Sequence, residues 1–223
     1  MKPRIGLLTI GQSPRPDMTA DLLPLLGDAA DFAEAGALDG LTKEEILSMA
    51  PVGAEDRLVT RLRSGETVVL ADRLVPALLQ RKIRELEETG AALIVLLCTG
   101  TFPPFESRVP VLYPWSVLKE AVPAAAPRRR AAIVIPSEGQ VSAWRKRWGA
   151  LLDFAEVLVI DPYTSAQAED VARTIRTLDV DAVVLDCMGY TEELCQRLRA
   201  LTEKPILLAR SLLARAVLEL LRN

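Results

Sequence analysis

The sequence contains no histidine in 223 residues. That absence removes Ser-His-Asp and Cys-His catalytic pairs and every histidine-ligated zinc site. Acid–base chemistry in this chain has to use cysteine, aspartate, glutamate, lysine or tyrosine. Cysteine is scarce too, with three residues. Cys98, Cys187 and Cys195 are too few and too scattered for a structural zinc site, so no metal is expected. An odd number of thiols and no secretion signal point to a reducing, cytoplasmic setting. No apolar run approaches the length needed to span a bilayer, so no membrane partner is expected. The net charge of −3 leaves no basic footprint for nucleic acid. The run Arg128 to Arg130 is too short to make one and reads as a solvated linker.

What the chain does have is alternation. Short apolar runs at Ile5 to Ile10, Phe32 to Ala37, Thr67 to Ala71 and Ala92 to Leu97 read as buried strands. So do Ala131 to Ile135, Val157 to Ile160, Ala182 to Leu185 and Ile206 to Leu208. Helical stretches separate them. Val75, Leu79, Ile83 and Leu86 fall on one face of a helix from Leu74 to Glu88, and Val141, Trp144, Trp148 and Leu151 share another. Leu194 to Leu201 and Ser211 to Leu221 complete the series. Ser13 is the expected N-cap of the first helix, which runs to about Leu26, with Pro14 at its first position. Thr42-x-x-Glu45, Ser137-x-x-Gln140 and Thr164-x-x-Gln167 are the expected caps of others. Within the ambiguous stretch Pro51 to Glu66, Arg57 to Leu62 reads as a helix stopped by Ser64-Gly65. Continuous apolar strands separated by helices predict an α/β fold with parallel sheets covered on both faces.

The pattern repeats. Leu96-Leu97-Cys98-Thr99-Gly100 and Leu185-Asp186-Cys187-Met188-Gly189 are both a strand running into Cys-x-Gly. Pro110-Val111-Leu112 with Ser116 matches Pro205-Ile206-Leu207 with Ser211. Two pseudo-symmetric lobes follow from this, residues 1–122 and 123–209, joined near Ala121 to Arg130. The terminal helix, 210–223, is expected to pack back on the first lobe.

In open parallel sheets ligands bind beyond the carboxyl ends of the strands. Gln12, Ser13, Thr99, Gly100, Thr101, Ser137 and Gly189 fall at such ends and are the candidate substrate-binding residues. Their hydroxyls, nearby helix N-termini and close backbone approach at glycine suit a small carboxylate. Cys98 and Cys187 are the candidate catalytic pair. Thiols on opposite faces of a substrate could take a proton from one side and return one to the other, as a racemase requires. Asp186 would raise the pKa of Cys187 if its carboxylate lay close. Cys195, between helical leucines, reads as core. Arg15 and Arg210 are considered as carboxylate clamps.

The chain resembles the AroM family at Leu8-Thr9-Ile10-Gly11, at Leu38-Asp39-Gly40-Leu41-Thr42 and at Leu185-Asp186-Cys187-Met188-Gly189. More distantly, one cysteine per lobe is similar to the aspartate/glutamate racemase superfamily. That resemblance implies an aspartate/glutamate racemase-like fold and a cofactor-independent isomerase or racemase, with its cysteine pair across an interlobe cleft. Met188 stands where the superfamily carries threonine. The alternative is a non-catalytic protein that binds a small metabolite in the same cleft. A homodimer is a possible assembly.

Overall fold

Strands that are apolar at every position need cover on both faces, and parallel sheets between helices supply it. The computed structural model describes residues 2–52 and 57–222. Its elements begin with β1 (Arg4–Thr9), α1 (Pro16–Leu26), β2 (Asp31–Gly36), α2 (Lys43–Ser48) and β3 (Arg57–Arg61). They continue with β4 (Thr67–Ala71), α3 (Val75–Glu88), β5 (Ala91–Leu96), β6 (Val111–Leu112) and α4 (Pro114–Ala125). The rest are β7 (Arg130–Ile135), α5 (Val141–Gly149), β8 (Phe154–Val159), α6 (Ala168–Thr177), β9 (Ala182–Leu185), α7 (Glu192–Thr202), β10 (Ile206–Leu208) and α8 (Ala209–Leu221).

Two four-stranded sheets result, ordered β2-β1-β5-β6 and β8-β7-β9-β10. Every pairing in both is parallel. In each, the first strand in sequence lies between the second and third, and the fourth takes the edge beside the third. The repeat seen in the sequence is therefore a repeat of connectivity. The chain divides into two units, Met1–Pro114 with Val217–Asn223, and Trp115–Ala216.

The first unit's core packs Val75, Leu79, Ile83 and Leu86 of α3 with Leu8, Ile94 and Leu96 of the sheet. All four α3 residues fall on the face expected from their spacing. The second unit's core joins Val134, Val183 and Leu185 to Val171 and Ile175 of α6 and Leu194 and Leu198 of α7. Cys195 lies fully buried in it, as expected.

Four local expectations are corrected. Arg57–Arg61 is a strand, paired antiparallel with β4. Burial alternates along it, with Leu58 and Thr60 inside, which is the period of a strand and not of a helix. Ser64-Gly65 is the hairpin turn: Gly65 has φ 87°, and the Leu62 N–H donates to the Glu66 carbonyl at 2.8 Å beyond it. The stretch read as ambiguous also contains residues 53–56, which lie outside those described. Ser13 does not cap α1; its hydroxyl donates to Asp39, Arg15 takes the cap position, and Pro16, not Pro14, opens the helix. Ser137 makes no side-chain cap either: a 3-10 turn, Glu138–Gln140, intervenes before α5. At α6, Gln167 occupies the cap position and its side chain accepts from the Asp161 N–H, so Thr164 stays outside the helix.

The Ala121 to Arg130 stretch is helical up to Ala125; Arg128 and Arg129 are solvent-exposed, as expected, and Arg128 pairs with Asp179 and Asp181. Thr191, which the sequence reading passed over, caps α7 by accepting the Leu194 N–H.

Thr42 and Glu45 form the full capping box. Thr42→Ala removes one of its two bonds and is expected to lower stability by about 1 kcal/mol, read from the urea midpoint at unchanged slope.

Candidate functional site

Both Cys-x-Gly segments begin where the third strand of a sheet runs out. The last ladder contact before each turn is the same: Leu97 N–H donates to the Leu8 carbonyl at 2.7 Å, and Asp186 N–H to the Val134 carbonyl at 2.9 Å. The chain then turns, and the cysteine sulfur accepts the N–H of the glycine two residues on. Gly100 N–H lies 3.4 Å from Cys98 Sγ, and Gly189 N–H lies 3.3 Å from Cys187 Sγ. Both cysteines are half-buried thiols. A hydrogen bond aimed at sulfur favours the thiolate over the thiol.

The glycines sit in tight surroundings. A Cβ at Gly100 would lie 3.1 Å from Leu58 and 3.2 Å from Phe102; one at Gly189 would lie 3.1 Å from Pro162. At each, the same Cβ would also touch the cysteine sulfur, at 3.4 and 3.5 Å. The two turns are thus alike in hydrogen bond and in packing, each closed by a different apolar side chain.

Strand alternation decides where the neighbouring side chains go. Val183, Leu185 and Cys187 face the core shared with α6 and α7. Asp186 faces the other way. It is fully buried, and its carboxylate accepts from Trp148 Nε1 at 2.8 Å and from the Arg147 guanidinium. Arg147 in turn lies over the rings of Trp115 and Trp144, 4.1 and 4.2 Å from their centroids. The aspartate beside Cys187 is therefore matched to a part-buried cation on the opposite face of the sheet.

Tyr190 closes the Cys187 turn from below, its hydroxyl donating to the Ile160 carbonyl at 2.8 Å. Burial, then the proximity of Cys187, push that hydroxyl well above the ordinary tyrosine range. It serves as a neutral donor.

The other candidates fall into two groups. Thr99 is buried beside Cys98, Thr101 is exposed, and Ser137 is half-buried after β7. Gln12 and Ser13 are occupied by their own unit: Gln12 Oε1 accepts the Arg63 N–H at 3.0 Å, and Ser13 Oγ donates to Asp39 at 2.5 Å. Arg15 and Arg210 are both buried, and their charges are used internally. Arg15 bonds Asp17 and the hydroxyl of Thr9, and Arg210 donates to the Met188 carbonyl. Among the described residues no group of three or more acidic or thiol side chains could hold a metal ion, and no helix is long and apolar enough to cross a membrane.

The family model described as AroM protein matches residues 5–221. The chain belongs to the AroM family. No curated protein matches it. Solved structures with a similar fold include the allantoin racemase from Klebsiella pneumoniae, at TM-score 0.66 and 14% identity over 98% of this chain and 87% of that one. Unliganded arylmalonate decarboxylase matches with TM-score 0.64 and 16% identity over 100% and 94%. A glutamate racemase isoform from Bacillus anthracis matches with 0.56 and 12% over 98% and 81%. The fold of this AroM-family chain is thus aspartate/glutamate racemase-like.

Sequence reasoning missed two groups that shape the Cys187 turn of this AroM-family chain. Arg147 with Asp186 was one; the spacing Trp144, Arg147, Trp148 on α5 was the available signal, since it stacks an arginine between tryptophans on one helix face. Arg210 holding Met188 was the other, and a separation of 22 residues gives no periodic signal for it.

Two outcomes follow for stability. Asp186→Ala takes the carboxylate from the part-buried Arg147 and from the buried Trp148 Nε1–H and is expected to cost roughly 3 kcal/mol in chemical denaturation. Burial raises the Cys195 thiol from an ordinary 9.0 to about 11. The unfolded thiol then ionises first, so its contribution is whole below the ordinary value and is lost as pH rises towards the folded one. Cys195→Ala is expected to flatten the fall in urea midpoint across that alkaline window; an equal fall in both proteins would refute the assignment.

Proposed function

We propose that this AroM-family chain is a cofactor-independent isomerase or racemase acting on a small carboxylate, with Cys98 and Cys187 as its acid–base pair. One thiolate removes the proton from the carbon beside the carboxylate. The electron pair left on carbon passes into the carboxylate as an enediolate. The second thiol returns a proton to the opposite face and becomes the thiolate. Each turnover consumes one thiolate and creates one, and the reverse reaction exchanges the two roles. No histidine is available to relay either proton.

The observation that carries this reading is the matched turn: the same N–H···S bond, at the same place in the same connectivity, twice in one chain. In both repeats the donor that closes the turn also favours negative charge on the sulfur. The similar folds named as racemases and a decarboxylase support the reading, because racemisation and decarboxylation can both pass through a carbanion beside a carbonyl group. The substrate carboxylate would be held by the hydroxyls of Thr99, Thr101 and Ser137, with Gln12, Ser13, Gly100 and Gly189 shaping the backbone around them.

The test is proton exchange. A panel of small chiral carboxylates is incubated with the protein in deuterated buffer, and deuterium incorporation at the α-carbon is followed by NMR alongside optical rotation. The wild-type protein is expected to exchange and racemise at least one class. Cys98→Ser and Cys187→Ser should each lose that turnover by at least about 10²-fold with an unchanged circular dichroism spectrum. Full turnover in Cys187→Ser would defeat the proposal.

A further inference from the structure

The peptide group between Met188 and Gly189 is gripped from both sides. Its carbonyl accepts two bonds from Arg210, from Nε at 3.1 Å and Nη2 at 2.6 Å. A trans peptide directs its N–H the opposite way, and this one donates to Cys187 Sγ at 3.3 Å. Arg210 is 1% exposed, so water screens its charge weakly.

We propose that Arg210 is a positioning residue that stabilises the Cys187 thiolate through the Met188–Gly189 peptide. A guanidinium on the carbonyl oxygen draws electron density along the peptide and makes its N–H a stronger donor. The thiolate gains more from that donor than the neutral thiol does. Arg210 also fixes the plane of the peptide, and so the direction of the N–H. Met188 contributes its backbone to this arrangement.

Other titratable groups lie on the elements packed around the turn. Asp186 opposes thiolate formation but is matched to Arg147 on the far face. Tyr190 is neutral, and Asp161 lies on its side of the turn. From α7, Cys195 is a neutral buried thiol, and Glu192 pairs with Arg199 and accepts from Ser211. Arg210 is the cation bonded to the thiol's own turn. This deepens the reading of Cys187 as a reactive thiol and rests on it for the use of that acidity in turnover. The acidity itself can be measured without a substrate.

The experiment is the pH dependence of iodoacetamide alkylation, resolved by peptide mass spectrometry for each cysteine. It compares the wild-type protein with Arg210→Gln, which keeps an N–H donor without charge, and with Arg210→Lys, which keeps charge. In Arg210→Gln the Cys187 midpoint is expected to rise by about one pH unit, slowing its alkylation at neutral pH by about tenfold. Arg210→Lys should recover most of that rate, and the Cys98 midpoint should be the same in all three. An unmoved Cys187 midpoint, or an equal shift at Cys98, overturns the proposal.

Should the glutamine variant fail to fold, the wild-type protein provides a second test by nitrogen-15 NMR. The Gly189 amide and Arg210 Nε–H resonances should titrate together with the Cys187 midpoint, and flat resonances overturn the proposal. Lost turnover in Cys187→Ser with an unmoved midpoint in Arg210→Gln rejects this role for Arg210 and leaves the isomerase reading standing. A moved midpoint with full turnover in Cys187→Ser does the reverse.

Discussion

A strand buried on both faces has to leave its sheet without stranding a backbone N–H, and in this protein a sulfur atom receives it. At the end of each third strand the ladder stops one residue before the cysteine. The next N–H groups need an acceptor that travels with the turn. The cysteine side chain supplies one two residues ahead of the donor, and glycine lets the loop close tightly enough to reach it. The Cys-x-Gly motif is thus one object with two consequences. It satisfies the backbone where the sheet ends, and it points a dipole at the atom best able to carry negative charge.

Much of the fold was legible because its signals are local. Continuous apolar runs gave the strands of both sheets, and the spacing of Val75, Leu79, Ile83 and Leu86 gave the buried face of α3. The motif repeated in sequence proved to be repeated in connectivity. What stayed hidden depends on partners far along the chain. Ser13 looks like a cap until Asp39, 26 residues away, takes its hydroxyl. Arg57–Arg61 is short and half polar, so neither period stands out until β4 pairs with it. The two Cys-x-Gly turns were legible as a repeat; the groups that set their surroundings were not.

The repeats also show how equal positions diverge. Leu97 and Asp186 make the same ladder contact with their backbones. One carries an apolar side chain. The other carries a carboxylate that the second unit must neutralise with Arg147, itself stacked between two tryptophans. A buried pair of this kind adds little net stability over an apolar pair, but it tolerates few alternative packings. It therefore fixes α5 against β9, and with it the strand that delivers Cys187.

The antiparallel hairpin of β3 and β4 has no counterpart among the described elements of the second unit. Its Leu58 lies over Gly100, whereas Gly189 lies under Pro162 of the loop that follows β8. One thiol's turn is roofed by an added element and the other's by a connection native to the repeat. The two turns are therefore separately adjustable: a change in the hairpin alters the cover over Cys98 and leaves the cover over Cys187 intact. Their likeness is one of backbone and sulfur, while the packing around each is set by an unrelated part of its own unit.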